Sequence, residues 1–204
     1  PIVIPQPSYA EYRHVLTNLH GREVAPFYTD DDDFVLQVDA LTEFANSVNA
    51  SAICLVNPCN PTGFALKKDQ MVQLLDGIGN IKIVVDETYI DYIGRENSVE
   101  QLVEQYPNVM ILKSVSKFYA LSGMRIGYAV TAAQTAKRFQ LETPPYIVST
   151  PGQMAAIAAF AMTLGGLFAF RALPVDAFPD VTPALVQVFT ETEGLAPEEV
   201  ERYV

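Results

Sequence analysis

The sequence predicts an α/β domain: a mainly parallel sheet flanked by helices. Three observations lead there. Short apolar runs alternate with amphipathic ones through the first three quarters of the chain. Some of those runs, "SAICLVNP" among them, are almost continuously apolar, as strands buried on both faces are. The residues with chemical potential fall just after such runs, where open α/β sheets place their ligands.

In chain order, "IVIP" reads as the end of a strand. "SYAEYRHVLTNLH" reads as a helix with Ser8 as N-cap, Glu11 completing a capping box and Gly21 just past its end. "REVAPFY" is a second strand, and "VDALTEFANSV" a helix with apolar residues at helical spacing. After "SAICLVNP" comes the helical "KKDQMVQLLDGIG", then the buried strands "IKIVVDE" and "NVMILKS". "GMRIGYAV" reads as a further strand and "TAAQTAKRFQLE" as a helix.

The last quarter has a different character. Residues 154–170, "MAAIAAFAMTLGGLFAF", carry no charge over 17 positions, the bottom edge of a membrane-spanning length. The same run also fits a buried helix. Beyond it lie four prolines and a fresh acidic bias, with a strand at "ALVQVFT" and a helix at "APEEVERYV", where Pro197 stands near the first turn. A seam is expected between Phe160 and Gly165, dividing a domain over 1–160 from a tail over 161–204.

A chain of 204 residues has room for one or two cores, and half of this one is apolar, which excludes a disordered protein. The net charge of −11 argues against nucleic acid or an anionic membrane as the main partner. Cys54, Cys59, His14 and His20 are too few and wrongly spaced for a zinc site, and the thiols suit a reducing compartment. "PIVIPQPSYA" has no signal-peptide pattern. It also lacks a starting methionine, so the expectation is a sequence that begins inside a longer protein.

Four pieces carry chemistry. "NPCNPTG", Asn57 to Gly63, makes a rigid turn after a buried strand and leaves the Asn60 amide aimed into a cleft; the same pairs also serve as ordinary loops. In "VVDETYIDY", Asp86 ends a strand with two valines behind it, so its carboxylate needs a cationic or donating partner, unless it is a helix cap. Tyr89 lies three residues on, within reach of the same cleft. In "KSVSKFYALSGMRIGYAV", Lys117 is accompanied by the hydroxyls of Ser114 and Ser116 and by Arg125. Small donors plus a guanidinium suit a phosphate. Desolvation and nearby positive charge are expected to make Lys117 a Schiff-base nucleophile. Tyr9, in "PSYAEY", either lays its ring on a flat ligand or is a core aromatic.

In this order, "PSY", "NPCNPTG", "DETY" and "SVSKFYALSGMRIGY" resemble the large domain of fold-type I, pyridoxal-phosphate-dependent aminotransferases. The histidinol-phosphate aminotransferase and threonine-phosphate decarboxylase group is the nearest in flavour, over about residues 1–160. The resemblance implies a partial large domain of that fold with pyridoxal 5'-phosphate as cofactor. Lys117 matches the Schiff-base lysine, and Asp86 the carboxylate that pairs with the ring nitrogen. Asn60 and Tyr89 match the pair on the phenolic oxygen. Ser114 and Arg125 match the phosphate ligands, with Ser116 beside them, and Tyr9 matches the stacking aromatic. Catalysis is thereby assigned to Lys117, Asp86 and Tyr89. Cys59 departs from the asparagine frequent in the family.

The activity implied is transamination of an amino acid or amino-alcohol phosphate, with an amino donor and a 2-oxo acid acceptor, in a cytoplasmic homodimer. Decarboxylation of an amino-acid phosphate is the alternative. The family's glycine-rich phosphate turn falls before Pro1 and its small domain after the matched region, which implies a truncated core with weakened cofactor binding. The tail, through "LPVDAFPDVT" and "GLAPEEVE", is similar to the start of heavy-metal efflux pumps of the resistance-nodulation-division class. That implies a chimera in which "TLGGLFAF" ends a membrane helix and the enzyme is a passenger. The other reading is one natural enzyme with an unusual tail.

Overall fold

The computed structural model describes residues 1–29, 33–144 and 147–172, without the side chains of residues 159, 160, 163, 164 and 166–172. Residues 1–161 form one compact unit. Six strands build its sheet: β1 (Ile2–Gln6), β2 (Val24–Tyr28), β3 (Ala52–Val56), β4 (Lys82–Asp86), β5 (Val109–Ser114) and β6 (Gly127–Thr131). Their spatial order is β2-β1-β3-β4-β5-β6. All neighbours are parallel except β5 and β6, which pair antiparallel.

Proline positions agree with this order. Pro26 lies in the edge strand β2, where a missing N–H costs no ladder bond on the open side. Pro5 lies beyond the short stretch, Ile2 and Val3, over which β1 pairs with β3.

Helices α2 (Val38–Ser47) and α3 (Lys68–Ile78) cover one face. Odd-numbered strand residues Val3, Ile53, Leu55, Ile83, Val85 and Ile111 point to that side and pack with Leu41, Met71, Leu74 and Leu75. Each such fully buried aliphatic stabilises the fold by about 1.5–3 kcal/mol. Even-numbered residues, among them Ile4, Cys54, Val56 and Asp86, face the other way and are buried as well. The period of two thus sends β3 apolar residues to both faces, as its uninterrupted apolar run predicts.

Two sequence expectations are corrected. Helix α1 (Ala10–His14) starts at Ala10 with Tyr9 at the cap and no side-chain cap bond, so Ser8 and Glu11 form no capping box. It runs on as a π-helical turn, Val15–Leu19, and ends at Gly21, whose φ of 58° is the left-handed conformation a helix-ending glycine takes. The strand expected from Gly123 starts only at Gly127, because Ser122–Met124 form a 3-10 turn. Helices α4 (Ala133–Glu142) and α5 (Thr150–Ala172) follow. Among the described residues no helix is long and apolar enough to cross a membrane. The strand and helix expected at "ALVQVFT" and "APEEVERYV" lie outside the described residues.

Candidate active site

At the carboxyl ends of β3, β4 and β5 the chain turns away from the sheet, and a cavity of about 260 Å³ opens there. That is the small end of the range of ligand pockets, so it suits a compact ligand. Tyr9, Asn60, Asp86, Tyr89, Ser114, Ser116, Lys117 and Arg125, the eight residues singled out in the sequence, all line it. They come from four segments spread over more than 110 positions.

Asp86 is the buried acid of the cavity. A buried carboxylate needs donors, and it has two. Its Oδ1 accepts the Thr88 N–H at 2.8 Å, and its Oδ2 accepts the Tyr12 hydroxyl at 2.5 Å. The first bond closes a local turn; the helical turn that follows, Ile90–Tyr92, has Tyr89 at its N-cap, so Asp86 is a buried carboxylate and not a helix cap. Burial, and then the Asp86 carboxylate, push the Tyr12 phenol well above its ordinary range. Burial, then the same charge, push the Cys54 thiol up to about 12.

Asn60 donates through Nδ2 to the Tyr89 hydroxyl at 3.4 Å. Its loop is held by the buried Asn57, whose side chain accepts the Leu66 N–H at 2.7 Å and donates to the Leu66 carbonyl at 3.3 Å. Ser114 and Ser116 share a hydroxyl bond of 2.6 Å, and the Ser116 N–H donates to Ser114 Oγ at 3.2 Å. Arg125 is exposed, with a left-handed φ of 51°, and its guanidinium donates to the Ser122 carbonyl at 3.0 Å. A non-glycine residue at such a φ stores backbone strain, as functional turns often do.

Lys117 departs from expectation. It stands in the turn after β5 and is exposed, because none of the described residues roofs it on the solvent side. Desolvation of its amine is therefore not provided by residues described here. Tyr9 is 47% exposed and meets Tyr12 edge-on, so it is a rim residue and not a core aromatic.

Sequence reasoning missed Thr88, Ser122 and Tyr12. Thr88, two residues after an aspartate, carries a recognisable turn signal. Ser122 is a small residue in the same glycine-containing segment as Arg125. Tyr12 is a helix residue that meets Asp86 across 74 positions, and nothing local marks it.

The residue set fits a pyridoxal phosphate group. The cavity contains an anionic acceptor for a protonated ring nitrogen, an amide and phenol pair for a ring oxygen, and two hydroxyls with a guanidinium for phosphate. The sequence profile of "Aminotransferase class I and II" matches residues 1–165. The chain belongs to the class I and II aminotransferases.

Among relatives in that family, histidinol-phosphate aminotransferase of Prosthecochloris aestuarii is 34% identical over 157 residues, covering 76% of this chain and 42% of that protein. The chain thus spans under half the length of this relative. The Chlorobaculum parvum histidinol-phosphate aminotransferase is 30% identical over 199 residues, 98% of this chain and 53% of its own length. The crystal structure of histidinol-phosphate aminotransferase from Sinorhizobium meliloti in complex with pyridoxal-5'-phosphate superposes with a TM-score of 0.72 at 28% identity, covering 79% of this chain and 44% of that one. A second profile, that of the AcrB/AcrD/AcrF family, matches residues 152–204. The two profiles overlap over 152–165, within α5.

Proposed function

We propose that this chain is the cofactor-binding core of a pyridoxal-phosphate-dependent transaminase acting on an amino acid or amino-alcohol phosphate. The observation that carries the reading is the meeting of an amine, a doubly held buried carboxylate and a hydroxyl-guanidinium cluster in one cavity. Relatives named histidinol-phosphate aminotransferases supply the substrate class.

Pyridoxal phosphate, when bound, supplies an electrophilic carbon and a ring that accepts the electron pair released at a substrate α-carbon. Asp86 would keep a proton on the ring nitrogen, which would make the ring a better electron acceptor. Ser114, Ser116 and Arg125 would bind the phosphate through charge-assisted hydrogen bonds. Asn60 and Tyr89 would orient the ring, and Tyr9 would cover it. Lys117 would hold the cofactor through its amine, and its Nζ, when free, would carry the proton at the substrate α-carbon.

A homodimer and a cytoplasmic location belong to the same proposal. Exposed Tyr92, Ile93, Phe118 and Met124 beside the site give a second copy an apolar surface to cover. For the tail, a division into 1–160 and 161–204 is supported by the second profile, and continuity by the Chlorobaculum alignment. The first favours a fused pump segment, the second a single enzyme.

The test is a visible spectrum after adding pyridoxal phosphate, followed by borohydride reduction and peptide mapping. A new band and a label on Lys117 are expected. A folded chain with no band, or with the label elsewhere, overturns the proposal. Once the label is placed, carbon dioxide release without amino transfer would select the decarboxylase alternative.

A further inference from the structure

The grip on Asp86 has a second half that cofactor contacts alone do not account for. Thr88 reaches Oδ1 from the next turn of chain, but Tyr12 reaches Oδ2 from α1, 74 positions away along the sequence. Tyr12 is half-buried and is not among the residues lining the cavity. We propose that Tyr12 is a positioning residue, fixing the plane of the Asp86 carboxylate so that it meets a protonated ring nitrogen. The inference rests on the pyridoxal phosphate reading above.

The physical case is torsional. The last torsion of an aspartate is broad and roughly two-fold, so a single donor at Oδ1 leaves the carboxylate free to swing. A second donor at Oδ2 sets its plane. The Tyr12 phenol stays a donor over the working pH range, since burial and the neighbouring carboxylate both hold its proton in place. The buried Cys54 thiol likewise stays neutral and adds no competing charge. The ring of Tyr12 meets that of Tyr9 edge-on at 6.1 Å and 79°, so the same short helix that carries the rim aromatic carries the clamp. Pre-organised partners of this kind act by removing the ordering cost at the moment of binding.

A purely structural role, satisfying a buried carboxylate, predicts the same bonds but different binding. Affinities of the chain and of Tyr12→Phe are to be measured by fluorescence titration. The two ligands are pyridoxal phosphate and its 1-deaza analogue, in which a C–H replaces the ring nitrogen. The variant is expected to lose about tenfold for pyridoxal phosphate and nothing for the analogue, the size of one charge-assisted hydrogen bond. Retained analogue binding is also the proof that the variant folds. With Asp86→Asn the preference for the ring nitrogen disappears, and adding Tyr12→Phe changes nothing further. Equal losses on both ligands, or no loss on either, overturn the inference. An unmodified chain that binds both ligands equally well overturns it too, while leaving the cofactor reading in place. A chain that binds neither overturns both.

Discussion

Replacing Lys113 by methionine isolates the buried charge at the end of the interior strand β5. Lys113 Nζ lies 2.5 Å from Glu87 Oε2 and 3.2 Å from Glu100 Oε2, and it donates to Ser98 Oγ at 2.8 Å. The Glu87 side chain is fully buried and Lys113 nearly so. Removing one member of a buried pair costs about 3–5 kcal/mol. Glu87 keeps two donors, the Ser98 hydroxyl at 2.6 Å and the Val99 N–H at 2.8 Å. Glu100 is 46% exposed and adds little. The expected loss therefore sits at the low end, about 3 kcal/mol, or roughly 6–12 °C in Tm for a unit of this size.

The assay is urea unfolding at pH 7, read as a lower midpoint at unchanged slope. The pH dependence is fixed in sign. Burial pulls the Lys113 ammonium down, but the bonds and charges of Glu87, then Glu100, outweigh it and raise it above its ordinary 10.5. Its contribution is complete below that value and disappears as pH rises through the folded value. The advantage of the unmodified chain over the variant should therefore be full at pH 7 and narrow above about pH 10.5. Adding Glu87→Gln to Lys113→Met removes both charges and should recover part of the loss. A loss under about 1 kcal/mol, the size of a surface pair, would refute the reasoning. So would an advantage that persists unchanged at high pH.

Other outcomes follow from single positions. A Cβ on Gly127 would stand 2.8 Å from the Lys113 carbonyl oxygen, so Gly127→Ala must push β6 from β5 and should cost about 1–3 kcal/mol in urea unfolding. Arg125→Gly relieves a left-handed backbone and should raise stability by up to about 1 kcal/mol, while the chain's preference for pyridoxal phosphate over pyridoxal drops in a binding titration. Cys54, its thiol pushed up to about 12 and buried, should resist a thiol reagent at pH 8 until urea is added, and the half-buried Cys59 should react first.

What the sequence made legible follows the reach of each signal. Strand positions were readable because burial on both faces leaves an apolar run that needs no partner to be recognised, as in β3. The convergence of the eight residues on one cavity was readable because turn chemistry and strand ends are local. The antiparallel pairing of β6 was not, since direction depends on the connection across Ser116–Ile126, which carries a 3-10 turn and positive-φ Ala120 and Arg125. The cap of α1 failed for a related reason. Tyr9 is held at the rim against Tyr12, which sets the helix start one residue later than Ser8 and Glu11 require. The exposure of Lys117 was unreadable because desolvation is a property of what covers a turn, and the turn alone does not encode it.

The site and its support are written in adjacent letters. At the end of β4 the dipeptide Asp86-Glu87 sends one carboxylate to each face, and at the end of β5 Lys113-Ser114 does the same. The even pair, Asp86 and Ser114, lines the cavity. The odd pair, Glu87 and Lys113, closes the ion pair beneath it, and the Glu87 N–H donates to the Leu112 carbonyl at 2.9 Å to lock the two strand ends together. Asp86 and Ser114 are thus carried by two strand ends that cannot splay without breaking a buried charge pair. The two cavity residues at the strand ends are fastened from the core side, while the exposed Lys117 and Arg125 stand in the connection that follows β5.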